Sequence, residues 1–200
     1  MNPYTNPETM KVVELFLDKF YRDHNVRTML FGINPGRFGS GITGISFTDP
    51  VRLKSKLDIE HSFDSRPELS SEFIYKVIDA FGGTEVFFSR FFISAVFPLG
   101  FLHEGKNINY YEFKNWKAIM QQPIIDELNA HMQWNVNRDV AICIGRGLNF
   151  KVLEALNKEH GWFNKIISLP HPRWILQYRR KEEVVHLNTY CRILSESLPD

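Results

Sequence analysis

Short apolar runs alternate along this chain with segments whose apolar residues recur every three or four positions. Helical spacing occurs at residues 7–22, 69–81, 111–132, 148–159 and 182–196. Apolar runs as short as buried strands occur at residues 28–33, 91–96, 139–145 and 163–169. Strands that alternate with helices indicate a parallel sheet covered on both faces. We therefore predict an α/β fold with three α/β/α layers, a central four-stranded parallel sheet and a single domain over residues 1–200.

Local signals support several of these helices and their ends. Asn6 is a suitable N-cap for the first helix, and Pro7 suits its first turn. The pair Gly82-Gly83 is expected to stop the second helix. Pro123 predicts either a kink in the third helical segment or the restart of a new helix there.

Ligands of such sheets bind beyond the carboxyl ends of the strands, so the segments that follow the strands are the places to look for chemistry. The first of these runs from Gly32 to Phe47 and is rich in glycine, which lets backbone N–H groups approach a ligand. Asn34 comes directly after a strand and could orient a water molecule without carrying charge. The spacing fits an ordinary glycine-rich connection between a strand and a helix equally well, and such a connection could bind phosphate. The loop lacks the Lys and the Ser/Thr of a P-loop.

The second segment is Leu169-Pro170-His171-Pro172-Arg173-Trp174. Its two prolines restrict the backbone around a histidine that follows the last strand, which would hold the imidazole in one orientation. A lone histidine is more often structural, but this one is predicted to lie at the same edge of the sheet as Asn34.

Composition excludes several classes of function. The two cysteines, Cys143 and Cys191, are too few for a four-cysteine iron–sulfur cluster or zinc site, and both fall in apolar patterns typical of reduced, buried thiols. We expect no metal and no cofactor. Because no apolar run is long enough to span a bilayer, we expect a cytoplasmic protein without membrane contact.

The net charge of +1 is small for a protein that binds DNA, since phosphate contacts normally dominate such affinity. A DNA-binding face would therefore need local clustering of cations. Arg173, Arg179, Arg180 and Lys181 form one such cluster. A solvated start of the last helix explains residues 179–181 equally well.

Taken together, the two segments resemble motifs of the uracil-DNA glycosylase superfamily, and most closely its single-strand-selective monofunctional branch. The first motif of that family reads Gly-Met-Asn-Pro-Gly-Pro-Phe-Gly and continues to a Thr-Gly and a Phe. The matching residues in this chain are Gly32, Asn34, Pro35, Gly36, Phe38, Gly39, Thr43, Gly44 and Phe47. The second motif begins His-Pro with an Arg nearby, matched by His171, Pro172 and Arg173. Residues 97–99 and 105–107 also resemble the family's segment after its second strand, so the resemblance spans roughly residues 28–185.

Other branches of the superfamily fit less well. The classical uracil-specific branch has Asp where this chain has Asn34. The cluster-containing branches need four cysteines. The mismatch-specific branch shares the Asn-Pro-Gly of the first motif but begins its second motif with Asn-Pro, whereas this chain has His171-Pro172.

The resemblance implies a role for each matching residue. His171 would donate a hydrogen bond to the departing base, and Asn34 would position the attacking water. Phe47 would stack on the flipped base, while the backbone of Ile33 and Gly36 would shape the floor of the pocket. No covalent lysine is required, so simple hydrolysis that leaves an abasic site is expected.

The chain departs from the family pattern in three places. Where the family reads uracil with an Asn on the second strand, this chain has Ala95 beside Ser94. The second motif is shortened, which leaves Arg173, Trp174 and Ile175 as alternative wedges for the space vacated by the base. Arg37 replaces a Pro of the first motif and is either a phosphate contact or a solvated loop charge.

The expected function is therefore that of a monomeric DNA repair glycosylase acting on uracil in single- or double-stranded DNA. Because the amide that reads uracil is missing, hypoxanthine and xanthine are expected substrates as well. Two alternatives stay open. One is a non-catalytic nucleic-acid or nucleotide-binding module with the same fold, and the other is an α/β enzyme that acts on free nucleotides.

Overall fold

The computed structural model describes residues 1–199, and its centre is a sheet of four parallel strands. The strands are β1 Arg27–Gly32, β2 Phe91–Ala95, β3 Phe101–His103, β4 Lys106–Ile108, β5 Val136–Ile144 and β6 Lys165–Leu169. The order across the central sheet is β2-β1-β5-β6, and every neighbouring pair is parallel. Strands β3 and β4 form a separate antiparallel hairpin. The predicted four-stranded parallel sheet is confirmed.

Helices cover both faces of this sheet. They are α1 Pro7–Phe20, α2 Ser40–Thr43, α3 Pro50–Ser55, α4 Leu69–Ala80, α5 Thr84–Arg90, α6 Trp116–His131, α7 Leu148–His160, α8 Pro172–Tyr178 and α9 Glu183–Ser195. Short 3₁₀ turns lie at Pro3–Thr5, Tyr110–Glu112 and Arg180–Glu182. Within residues 1–199, no helix combines the length and apolar character needed to cross a membrane.

Side-chain alternation along the strands divides the interior into two apolar clusters. In β1, Leu30 packs into the cluster formed with α1, α4, α5, α8 and α9, whereas Met29 and Phe31 pack into the one formed with α6 and α7. Strand β5 alternates in the same way, with Ile142 on the first side and Cys143 on the second. Every residue of β1 is buried, as expected of a central strand with helices on both faces. This arrangement is the predicted three-layer α/β/α fold.

The element boundaries largely follow the apolar pattern, and the differences occur where the pattern is short. Asn6 caps α1 as expected, its side chain accepting a hydrogen bond from the N–H of Glu8. Helix α6 continues through Pro123, so no new helix begins there. The apolar pattern did not indicate α2, α3, α5 and α8, since four to seven residues give too few turns for a clear helical period. It also missed the β3–β4 hairpin, whose strands have three residues each.

A buried arginine joins the amino-terminal end of β1 to two helices. The guanidinium of Arg27 donates to the carbonyl oxygens of Phe88 in α5, at 2.7 Å, and Phe20 at the end of α1, at 3.0 Å. Asp23 neutralises the charge at 2.8 Å, and the ring of Tyr21 lies 4.7 Å from the guanidinium carbon. Because β1 begins at Arg27 and ends at Gly32, these bonds fix the start of the strand that leads into Asn34.

Replacing Arg27 with Met should therefore lower the free energy of unfolding by about 2–4 kcal/mol, because two carbonyl groups would lose their charged donor. Urea denaturation followed by circular dichroism measures the effect. The matched control is Arg22→Met, which breaks an exposed ion pair with Asp18 and should leave the stability nearly unchanged. Equal stability of the two variants would contradict this role of Arg27.

Candidate active site

The carboxyl ends of β1, β2 and β6 open onto a cavity of about 320 Å³, which is large enough for a nucleobase. It is lined by Gly32, Ile33, Asn34, Pro35, Gly36, Ser40, Ser46, Phe47, Glu68, Ser70, Ser94, Ala95, Asn107, Asn109, His171, Arg173, Trp174, Gln177 and Tyr178. Both motifs of the sequence analysis contribute to this set. The structure therefore brings Asn34 and His171, 137 positions apart in the sequence, to the same cavity.

The Asn34 side chain is held by the last residue of the β3–β4 hairpin and by the segment that follows it. Its Oδ1 accepts a hydrogen bond from the N–H of Tyr110 at 3.1 Å, and its Nδ2 donates to the carbonyl of Ile108 at 3.4 Å. Tyr110 is itself anchored, because its ring is fully buried and its hydroxyl bonds to Asn149 at 3.0 Å. One lone pair of Oδ1 remains available, so the amide can accept a further hydrogen bond in a fixed direction.

The His171 ring is oriented by the helix that begins beside it. His171 is the N-cap of α8, and its Nδ1 accepts the N–H of Arg173 at 3.2 Å. Because Nδ1 is the acceptor, the neutral ring carries its proton on Nε2. Burial, with a smaller contribution from the positive charge of Arg173, lowers the pKa of His171 to about 4. At neutral pH the ring is therefore an uncharged donor.

Phe47 reaches the cavity from the far end of the glycine-rich segment. Its backbone has a positive φ of 53°, which is uncommon for a side chain of this size. A Cβ placed on Gly32 would lie 2.8 Å from the Phe47 ring, so only glycine allows the ring to lie over the end of β1. The rings of Phe47 and His171 have centroids 5.9 Å apart. An aromatic surface thus lies beside the imidazole donor.

The other expected base-binding residues, Ile33, Gly36, Ser94 and Ala95, also line the cavity. The Ser94 hydroxyl is engaged by a buried histidine, since it lies 2.9 Å from Nε2 of His131. Ala95 offers no polar side chain. The end of β2 therefore presents no side-chain amide to the cavity.

The expected DNA contacts divide into three groups. Arg173 and Trp174 are exposed and line the cavity, Trp174 being 41% accessible. Ile175 is completely buried against the core, because α8 turns it inward, so it offers no surface to DNA. This leaves Arg173 and Trp174 as the available wedges.

Three further arginines lie outside the cavity lining. Arg179 and Arg180 are exposed at the end of α8, and the guanidinium of Arg179 lies 5.3 Å from the ring of Trp174. Arg37 lies above the hairpin, where its side chain donates to the carbonyl of Gly105 and stacks on Phe38.

The sequence analysis missed several polar residues of the cavity, chiefly Glu68, Ser70 and Asn107. Asn107 lies in a segment already matched to the family, and it accepts the N–H of Arg37 at 3.1 Å. Nothing in the sequence distinguished Glu68, which the fold delivers from the start of α4. Burial and the nearby charge of Asp49 raise the pKa of Glu68 to about 7. Residues 1–199 hold no group of three or more His, Cys, Asp or Glu side chains placed to bind a metal ion.

The low pKa of His171 should make stability depend on pH. Between about pH 6.5 and 4 the unfolded chain binds a proton at this position that the folded chain does not, so stability falls as the pH falls. His171→Asn keeps a capping side chain but has no such titration. We expect the stability of this variant relative to the unmodified protein to increase from pH 6.5 to pH 4. Urea denaturation midpoints measured across this pH range test the effect. His131 is present in both proteins, so its titration affects both equally. Midpoints that change in parallel with pH in the two proteins would contradict the prediction.

Comparison with known proteins agrees with this geometry. The family model described as the uracil DNA glycosylase superfamily matches residues 19–194. A search of curated proteins finds no match. Among solved structures, the crystal structure of wild-type SMUG2 from Pedobacter heparinus has a TM-score of 0.93 and 38% identity, over 98% of this chain and 86% of that one. The family resemblance of the two motifs is thus confirmed, and the chain belongs to the uracil DNA glycosylase superfamily.

Proposed function

We propose that this protein is a single-domain DNA glycosylase that hydrolyses the N-glycosidic bond of a deaminated base and leaves an abasic site. The observation that carries the proposal is the meeting of Asn34 and His171 at one cavity of nucleobase size, with Phe47 beside them. The target bond is inaccessible inside a duplex, so the base must be turned out of the stack into this cavity. No cofactor is required for the reaction.

His171 supplies the main stabilisation of the departing base in this proposal. Negative charge builds on the base oxygen as the bond breaks, and the Nε2–H of the neutral ring donates to it. A fixed donor of this kind contributes about 3–4 kcal/mol to the transition state. The bond from the Arg173 N–H to Nδ1 matters here, because it selects the tautomer with the proton on Nε2.

Asn34 positions the water that attacks the sugar. The hairpin segment holds the amide through Tyr110 and Ile108, and the second lone pair of Oδ1 accepts from the water. Phe47 stacks on the extruded base, and the backbone of Ile33 and Gly36 forms the floor. Each group therefore acts by position rather than by covalent chemistry.

The end of β2 favours a broad choice of base. A pocket discriminates strongly when its polar groups are left unpaired by the wrong substrate. Ala95 cannot form such bonds, and the Ser94 hydroxyl is already engaged by His131. We therefore include hypoxanthine and xanthine with uracil as substrates.

In this proposal Arg173 or Trp174 fills the vacated stack, which their exposure at the rim of the cavity supports. Arg179 and Arg180 continue the same surface with positive charge suited to phosphates.

Incubation with matched single- and double-stranded oligonucleotides that contain uracil, hypoxanthine or xanthine, followed by alkali, measures base choice. We expect abasic sites from all three bases, with uracil rates within about 100-fold of the others, the discrimination typical of pockets without a bidentate reader. Strict uracil preference would reject the broad choice of base. Binding without cleavage at enzyme excess would favour the non-catalytic module, and cleavage of free nucleosides alone would favour an enzyme of nucleotide metabolism.

Asn34→Ala and His171→Ala should each lower the single-turnover rate by about 100-fold or more while circular dichroism shows that both variants stay folded. Asn164→Ala and His160→Ala are matched controls, because both side chains are exposed and lie away from the cavity. These controls should cleave at the unmodified rate. Unchanged turnover in both cavity variants would remove the assignment of the site.

A further inference from the structure

Glu68 lines the cavity but takes no part in the roles assigned to His171, Asn34 and Phe47. It precedes α4 as its N-cap, and its backbone N–H donates to Oδ2 of Asp49 at 2.7 Å. Its carboxyl group lies directly on the backbone of the glycine-rich segment. A Cβ on Gly36 would lie 2.6 Å from its Oε1, and one on Gly39 would overlap with its Oε2. The carboxyl therefore adjoins the same loop that carries Asn34.

The carboxyl oxygens of Glu68 are open to the cavity. Within residues 1–199, neither oxygen has a hydrogen-bond or ion-pair partner, and neither is shut away as a buried unpaired atom. Among the lining residues of the described chain, Glu68 is the only carboxylate. Asn107 and Asn109 also line the cavity, but both side chains are engaged. The Asn107 side chain accepts the backbone N–H of Arg37, and the Asn109 side chain donates to the Glu112 carboxylate.

The surroundings of Glu68 make it a good proton acceptor near neutral pH. Asp49, at the start of α3, faces it with a buried negative charge that Arg52 pairs at 2.9 Å. Arg173 faces it from α8 with a positive charge, and the neighbouring His171 is neutral. Burial and Asp49 raise the pKa of Glu68 to about 7, and Arg173 opposes that change. General bases are most effective when their pKa lies near the working pH.

The hydrolysis proposed for this site needs such a group. Cleavage builds positive charge on the sugar, and the attacking water must lose a proton. The Asn34 amide can orient the water but cannot take its proton at ordinary pH. A carboxylate can accept this proton, and its negative charge also stabilises the cationic sugar.

We propose that Glu68 is a catalytic residue whose carboxylate accepts the proton of the attacking water; this inference rests on the proposed glycosylase function. The C1′–N bond breaks and its electron pair leaves with the base, held by the Nε2–H of His171. The water oxygen forms the new bond to C1′, and its proton passes to an oxygen of Glu68. The products are the free base anion, the abasic sugar and a protonated Glu68, which then returns its proton to solvent or base.

The test is the single-turnover rate from pH 5.5 to 9 on whichever oligonucleotide the unmodified protein cleaves. That rate should rise with pH and level off above about pH 7, as the carboxylate forms. Glu68→Gln, which keeps the shape that packs on Gly36 and Gly39, should be at least about 100-fold slower and lose the rise. Glu72→Gln is the matched control on the same helix, where Glu72 pairs with Lys76 outside the cavity, and it should keep both rate and profile.

Rescue by a small carboxylate separates proton transfer from a structural role. Glu68→Ala should regain at least about tenfold in rate when sodium formate is added, whereas sodium chloride at equal ionic strength should have no such effect. Asn34→Ala should not respond to formate. The Glu68→Ala variant also keeps the proposal testable if Glu68→Gln does not fold.

Three outcomes would overturn the proposal. A Glu68→Gln variant with the unmodified rate would exclude the role while leaving the glycosylase function intact. A slow variant with an unchanged pH profile and no rescue by formate would show that Glu68 acts only by packing. Failure of the unmodified protein to cleave any of the three lesions would instead reject the proposed function, and this inference with it.

Discussion

Parallel pairing of β1 with β2 and β5 is the constraint on which the site depends. Because the strands run the same way and helices cover both faces, their carboxyl ends form the edge where backbone and side chains can be presented to a ligand. Asn34 follows β1, Ala95 ends β2 and His171 follows β6. Their meeting is a consequence of topology, and the Arg27 bonds at the other end of β1 keep the strand in place.

Burial then sets the chemistry of His171 and Glu68, two titratable groups that line the cavity. Removing a group from water disfavours its charged form, so the same cause lowers the pKa of His171 and raises that of Glu68. The histidine is left as a neutral donor and the carboxyl as a group that exchanges its proton near pH 7. One cavity thus presents both a hydrogen-bond donor and a proton acceptor.

Helix α8 shows how local geometry chooses among residues that the sequence treats alike. Arg173, Trp174 and Ile175 are neighbours in the chain, and all three were reasonable wedges. Pro172 at the first position of the helix and the apolar core beneath it set the rotation, which buries Ile175 and exposes the other two. Periodicity could not settle this, because a helix of seven residues is too short to be recognised from its pattern.

The sequence by itself determined the layers of the fold, the four strands of the central sheet, the family, and the two motifs with Asn34, Phe47 and His171. It could do so because strand and helix periods are local, and because the motif residues stand at fixed spacings. Only the tertiary structure decided that Glu68 enters the cavity, that Tyr110 clamps Asn34, and that His131 engages the Ser94 hydroxyl. These contacts join residues 29 to 76 positions apart, and contacts between distant residues leave no periodic trace in a single chain.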